Sequence, residues 1–269
     1  MTLACLPMYD LHEARPALDA LWAGLARHLR AAGVAEVPAT LERRWPADAI
    51  WGNAELLLSQ SCGADLTGAW AAALTPVATP CYRAPGCAGA SYASFVVVPA
   101  AAPGARLEEL RGKVAAINHT DSHSGSNALR ALVAPLARDG RFFGAVEVSG
   151  SHVRSLAMVA SGAADVAAID CVTHALLARH RPAALAGTRV LCRTAAAPAP
   201  PFVTSAGAAP ALVARLRGAL HAAIADPALA GARADLLLDG IEILPRAAYG
   251  RIPAFARFAA RHGCDPLGA

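Results

Sequence analysis

Apolar residues fall along this chain in two alternating rhythms. Over residues 12–32, Leu18, Leu21, Trp22, Leu25 and Leu29 recur three or four apart, which predicts an amphipathic helix stopped by Gly33. Short apolar runs over residues 3–9, 56–60, 76–82 and 92–98 read as strands, with a helix expected over 64–74. The turn-rich segment Arg83-Ala84-Pro85-Gly86-Cys87-Ala88-Gly89-Ala90 separates the third run from the fourth. From Leu107 the alternation is regular: helix 107–110, strand 114–117, helix 124–137, strand 145–148, helix 151–160, strand 166–169, helix 171–180, strand 188–193. Such a rhythm predicts parallel strands covered by helices on both faces. Residues 195–201, rich in alanine and proline, read as a linker, and strand 202–204 with helices 210–225 and 247–262 completes the chain.

A chain of 269 residues is long for one domain and fits two lobes of about 100 to 150 residues each. Two extended segments, 92–102 and 194–202, would join them. The expected fold is therefore α/β with two lobes, residues 99–199 being inserted into a lobe built from 1–98 and 200–269. Each lobe would hold a central, mostly parallel sheet flanked by helices, and a ligand would enter the cleft between lobes.

Charge narrows the function. The net charge is only +4, Lys113 is the sole lysine, and the arginines are scattered with no run longer than Arg43-Arg44, so a nucleic-acid surface is disfavoured. No apolar run approaches the ~18 residues of a membrane span. The first ten residues lack a basic segment followed by a long apolar one, so the sequence as it stands reads as cytoplasmic, and as periplasmic if an export segment precedes it. Seven cysteines without a C-x-x-C pair argue against a zinc ribbon, and reduced thiols are the simplest account. In an oxidising compartment Cys81 and Cys87 would be a candidate pair. No Walker loop, G-x-G-x-x-G or nucleophile elbow is present, and no cofactor or metal is expected.

The most informative stretch is Ile117-Asn118-His119-Thr120-Asp121-Ser122-His123-Ser124-Gly125-Ser126-Asn127, set between a buried strand and a helix. A helix start offers unpaired N–H groups and the positive end of its dipole. Ser122, His123, Ser124, Ser126 and Asn127, with the N–H groups of Gly125 and Ser126, would donate to the oxygens of a phosphonate, phosphate or carboxylate. Gly125 would let the backbone approach the ligand. One hydroxyl suffices to cap a helix, and four hydroxyls exceed that need.

These residues resemble a known family. The run Leu110-Arg111-Gly112-Lys113-Val114-Ala115-Ala116-Ile117, the loop 122–127, Gly150-Ser151-His152 and Ala160-Ser161-Gly162-Ala163-Ala164-Asp165-Val166-Ala167-Ala168-Ile169-Asp170 are similar to the phosphate, phosphite and phosphonate-binding proteins of ABC transporters. The resemblance implies a type II periplasmic-binding-protein-like fold, a small anionic ligand and an ABC permease as partner. Two features depart from the family: no export signal is seen, and Ser122-His123-Ser124-Gly125 replaces the more common Ser-Thr-Ser-Gly.

Around the loop, His152 would point into the same cleft and take up charge beside a dianion. Asp170, closing a strand, would select an ammonium or a protonated oxygen, and equally would cap the helix 171–180. The amino-terminal lobe would add Tyr9, Gln60, Ser61 and Tyr82, with Tyr92 near the crossover; tyrosines supply an apolar wall with a polar tip. The leading reading is a solute-binding protein that closes on an anion rather than an enzyme. A cytosolic enzyme using His123, His152 or Asp170 as acid or base, or a ligand sensor, is the alternative on the same fold.

Overall fold

The computed structural model describes residues 2–103 and 106–267. The strands, in chain order, are β1 (Leu3–Cys5), β2 (Leu56–Gln60), β3 (Leu74–Tyr82), β4 (Ser91–Tyr92), β5 (Ser94–Pro99), β6 (Val114–Ile117), β7 (Ala145–Val148), β8 (Val166–Asp170), β9 (Thr188–Arg193), β10 (Ala197–Pro198), β11 (Phe202–Ser205) and β12 (Leu238–Glu242). The α-helices are α1 (Arg15–Ala31), α2 (Ala47–Trp51), α3 (Ala128–Val133), α4 (His152–Ser161), α5 (Cys171–His180), α6 (Pro210–Ala225), α7 (Ala230–Asp235) and α8 (Arg251–Arg261). The chain divides into two compact units. The first is Met1–Arg83, Ala88–Ser91 and Pro198–Tyr249; the second is Ala84–Cys87, Tyr92–Ala197 and Gly250–Ala269.

In the first unit a five-stranded sheet runs in the order β1-β2-β11-β3-β12. β1 and β2 are parallel, β11 is antiparallel to both β2 and β3, and β12 is antiparallel to β3, so the sheet expected to be mostly parallel is here mostly antiparallel, β11 and β12 running against β2 and β3. The apolar stripe of α1 is buried as its spacing predicts: Leu18, Leu21, Trp22, Leu25 and Leu29 join Leu216 and Leu220 of α6, and Leu58, Val77 and Phe202 of the sheet, in one core. Pro16 and Pro210 sit in the first turns of their helices, where a missing N–H costs nothing.

The second unit holds the sheet β7-β6-β8-β5-β9. β6 is parallel to β7 and β8, while β5 is antiparallel to both β8 and β9. Alternate residues Val96 and Val98, Ala115 and Ile117, Val166 and Ala168 bury one face with Leu129 and Val133 of α3, Phe142, Phe143 and Leu267. The intervening Val97, Ala116, Ala167 and Ile169 are buried too, and α4 and α5 pack on these strands. Residues buried on both faces explain the continuous apolar runs in the sequence.

Several expectations need correction. Residues 64–73 form consecutive turns rather than a helix, with three-residue bonds such as Thr67 N–H to Ala64 O and Ala71 N–H to Gly68 O; Gly68 in mid-segment disfavours helix. The helix expected over 124–137 is a π turn (His123–Asn127), then α3, then a 3-10 turn (Ala134–Leu136), because Pro135 cannot donate an i→i−4 bond. The segment read as a linker is ordered, with Ala197 and Ala199 buried and Ala199 N–H donating to Ala90 O. β5 belongs to the second unit, where two neighbouring strands cover its Phe95-Val96-Val97-Val98 run. So does α8, tied to it by Asn127 Nδ2 donating to Ile252 O at 3.0 Å, and followed by Cys264, whose carbonyl accepts from Arg130 Nε at 3.1 Å. The chain passes between the units at 83/84, 87/88, 91/92, 197/198 and 249/250, where boundaries at 98/99 and 199/200 were expected. Cys87 faces Cys171, and Cys81 faces Glu242, so the expected Cys81–Cys87 pairing is not the arrangement found. Among the described residues, no helix is long and apolar enough to cross a membrane.

The entry to β7 is a point of close backbone approach. Gly112 N–H donates to Phe142 O at 2.8 Å and Gly144 N–H to Lys113 O at 2.9 Å, and a Cβ at Gly144 would lie 2.4 Å from Gly112 O. No rotamer relieves a clash with a carbonyl, so Gly144→Ala is expected to destabilise the protein by about 1–3 kcal/mol. A lowered urea midpoint checks this; an unchanged midpoint would refute the close approach.

Candidate functional site

Because β6, β7 and β8 are parallel, their carboxyl ends share one edge of the second unit's sheet, the edge at which open α/β sheets bind ligands. β5 runs the other way, so its first residue, Ser94, pairs with Asp170 at the end of β8. Three connections therefore meet there: 118–127 after β6, 149–152 after β7, and Asp170 itself.

The first connection re-enters a helix through a π turn, Asn127 N–H donating to Ser122 O at 3.0 Å and Ala128 N–H to His123 O. Such widened turns are rare and are frequently found at functional sites. Ser122 is the cap: its Oγ accepts from Gly125 N–H at 3.1 Å. The Gly125 amide, expected to meet a ligand, is thus already engaged. Ser122, Ser124 and Ser126 are all buried. Gly125 is required by its neighbours, since a Cβ there would lie 1.9 Å from Asn118 Oδ1 and 3.2 Å from His152 Cε1. Asn118 Oδ1 is itself buried without a hydrogen-bond partner.

The second connection brings His152, the first residue of α4, to the loop. Its Nε2 lies 2.9 Å from Ser124 Oγ. The helix is capped by Ser151, whose Oγ accepts from Arg154 N–H at 3.2 Å. Ser149 braces the turn, its Oγ lying 3.1 Å from Ile117 O and 2.7 Å from Ser155 Oγ.

Beside this pair stands a packed ring cluster. His123 meets Phe255 edge to face with centroids 4.9 Å apart and Tyr92 at 6.2 Å. Asn127 Nδ2 donates to Ile252 O at 3.0 Å and its second hydrogen faces His123 Nδ1 at 3.2 Å, which leaves the ring proton on Nε2. Asp170 caps α5, Oδ1 accepting from Val172 N–H at 2.7 Å and Thr173 N–H at 2.9 Å.

The residues expected from the amino-terminal half gather within the first unit, apart from Tyr92. Gln60 Nε2 donates to Tyr82 OH and to Pro200 O, each at 3.0 Å, and Tyr9 and Tyr82 meet edge to face with centroids 5.2 Å apart. Ser61 is fully buried, its N–H donating to Pro201 O at 3.1 Å. Reasoning from sequence did not single out Asn118 as a site residue, and missed Phe255 altogether. The loop glycine was a usable signal for Asn118; nothing local points to Phe255, which arrives from a helix 132 positions after His123.

The electrostatics are those of neutral donors. Burial pushes His123 down to about 4, and it pushes His152 to about 4 as well, with His119 lowering it further. Both rings are uncharged at pH 7, and none of residues 118–127 and 149–152 is lysine or arginine. A dianion placed beside His152 would raise its proton affinity, the response expected of it from sequence.

Depressed imidazoles make stability depend on pH. In the unfolded chain histidine titrates near 6.5, so between pH 6.5 and 4 the unfolded state binds more protons. The stabilisation is complete above 6.5 and is lost as pH falls towards 4. For His123 the loss between pH 7 and 5 is about 2 kcal/mol. Urea unfolding at the two pH values checks this: His123→Phe should shrink the difference by about that amount, and an identical difference in both proteins would refute the buried neutral ring.

Comparison with known proteins adds a frame to this geometry. The model of a family described as "ABC transporter, phosphonate, periplasmic substrate-binding protein" matches residues 66–249. Among curated protein sequences none matches. Among solved structures, a binding protein component of an ABC phosphonate transporter from Pseudomonas aeruginosa is similar with a TM-score of 0.74 at 15% identity, over 100% of this chain and 90% of that one. PhnD1 from Prochlorococcus marinus in complex with methylphosphonate gives 0.71 at 14%, over 96% and 97%. A Xanthomonas citri protein bound to chloride ion gives 0.71 at 17%, over 97% and 98%. At these identities the likeness concerns the fold, which is that of type II periplasmic binding proteins.

Proposed function

This chain belongs to the family of periplasmic substrate-binding proteins of ABC phosphonate transporters, and on that premise we propose that the Ser122–Asn127 loop of its second unit holds the oxyanion of its ligand. The chain is a solute-binding protein rather than an enzyme, as its family is. The observation that carries the ligand reading is the meeting of buried hydroxyls with a neutral imidazole: Ser122, Ser124 and Ser126 line one helix entry, and His152 Nε2 stands 2.9 Å from Ser124 Oγ. Hydroxyls and helix-entry amides bind anions by fixed dipoles, with no cation to desolvate.

In this reading a phosphonate, phosphate or carboxylate takes hydrogen bonds from Ser124, Ser126 and the amides of the π turn, and His152 becomes protonated as a dianion settles beside it. Ser122 and Gly125 shape the loop through their mutual bond. His123 and Asn127, stacked and bonded beneath Tyr92 and against Phe255, hold the turn in register and leave His123 Nε2–H as a further donor. Asp170, which caps α5 through Oδ1, would favour a ligand that also carries an ammonium. Within the first unit, Tyr9, Gln60, Ser61 and Tyr82 stand as ligand candidates of their own, phenols and an amide being polar groups backed by apolar area. The same family membership supports delivery of the ligand to an ABC permease and residence in the periplasm. The methylphosphonate complex of the Prochlorococcus marinus relative supports the ligand class.

Calorimetry and thermal unfolding with methylphosphonate, an aminoalkylphosphonate and inorganic phosphate test this. At least one should raise the unfolding temperature, the stabilisation reaching about 2.7 kcal/mol at a hundred times Kd. Ser124→Ala should weaken binding about 10- to 100-fold, the worth of a hydrogen bond to a charged group, and Gly125→Ala should abolish it. Binding of undiminished strength in both variants would remove the loop from the site; no shift with any of the three compounds would remove the ligand class.

A further inference from the structure

Outside the candidate anion loop, one pair of reactive groups has no part in the binding reading. Cys87 and Cys171 lie in the second unit, 84 positions apart in sequence, with their Sγ atoms 3.5 Å from each other. We propose that they are a redox pair: a disulfide-bearing oxidant converts them to a Cys87–Cys171 disulfide that ties residues 84–87 to the start of α5.

The backbone on both sides is built for this contact. Gly86 adopts a φ of +94°, and a Cβ there would lie 3.0 Å from Cys171 Cβ, 3.2 Å from its Sγ and 3.3 Å from Phe95 Cζ. Only glycine lets the turn come so near. Cys87 N–H donates to Ala84 O at 3.0 Å, closing the turn, and Cys171 N–H donates to Ala93 O at 3.1 Å, fixing the other sulfur. Phe95 packs edge to face on His174, one turn along α5 from Cys171. Cys5, Cys81 and Cys264 instead meet oxygen: the Ser59 hydroxyl, the Glu242 carboxylate and the Asp265 carbonyl.

The two thiols are unequal, which sets the order of events. Cys171 is buried and holds its proton tightly, through its bond to Cys87, its desolvation and the neighbouring Asp170 charge. Cys87 is partly exposed. Cys87, losing its proton to solvent, attacks a disulfide RS–SR and forms Cys87–S–S–R, releasing RS⁻. Cys171 then attacks the Cys87 sulfur, its proton passing to the second RS⁻ as that leaves. Two electrons and two protons end on two RSH, and one S–S bond is made for one broken. Because Ala84–Cys87 falls to the second unit while Arg83 and Ala88 fall to the first, the bond fixes a segment flanked by two crossings of the chain between units.

The test incubates the native protein with oxidised glutathione, removes the reagent, and counts thiols in denaturant before and after that incubation, with peptide mapping of the product. The titre should fall from the seven cysteines of the sequence by two, the linked peptides should contain Cys87 and Cys171, and reduction should lower the unfolding temperature by on the order of 10 °C, given the long loop closed. Cys81→Ser should lose two thiols like the wild type, whereas Cys87→Ser, changed at a partly exposed position, should form no internal disulfide. Retention of every thiol, loss of thiols only when the incubation itself is in denaturant, or a bond mapped to Cys81–Cys87 would overturn the proposal. Phosphonate binding is read separately, so neither result depends on the other.

Discussion

The close approach of Gly125 to Asn118 is the constraint on which the candidate site depends. A strand ends, the chain doubles back, and the entering helix must start within contact of the loop that precedes it. Any side chain at 125 would fill the space held by Asn118 Oδ1, 1.9 Å from where its Cβ would stand. The consequences spread from there. The turn widens to π geometry, Ser122 caps it, and Ser124 is delivered to His152. Parallel β6, β7 and β8 make this possible by ending on the same edge.

A second consequence is electrical. Burial in and beside the loop strips His123 and His152 of charge. In the proposed reading an anion meets dipoles rather than cations, and the proton affinity of His152 rises as the anion settles beside it. In that reading specificity rests on hydroxyl and amide geometry, which suits tetrahedral oxyanions better than a diffuse positive field would.

Much of the fold was legible in the sequence, and the reasons are local. Strands 114–117, 145–148 and 188–193 and helices 171–180 and 210–225 were read to their ends because apolar runs there are bounded by sharp changes of period. β12 was missed because Leu238-Asp239-Gly240-Ile241-Glu242 carries glycine and two acids, and pairs as a strand only because β3 offers it a partner. The proline-rich 195–201 read as a linker since proline signals no element, yet its fixed φ suits extended, buried chain. Of the site, the residue types and the loop were legible; their partners were not. Asp170 was foreseen as either cap or ligand group, and its cap bonds are present. The burial of His123 depends on Phe255 and Ile252, from a helix whose membership in the second unit no local pattern announces.

The central claim is that an oxyanion sits against the Ser122–Asn127 turn and His152. Nitrogen–proton correlation spectra of the protein during titration with methylphosphonate address it most directly. Saturable shifts should concentrate on the amides of Ser124, Ser126 and Asn127 and on the His152 ring nitrogens. Saturable shifts confined to other surfaces, with these signals unmoved, would contradict it.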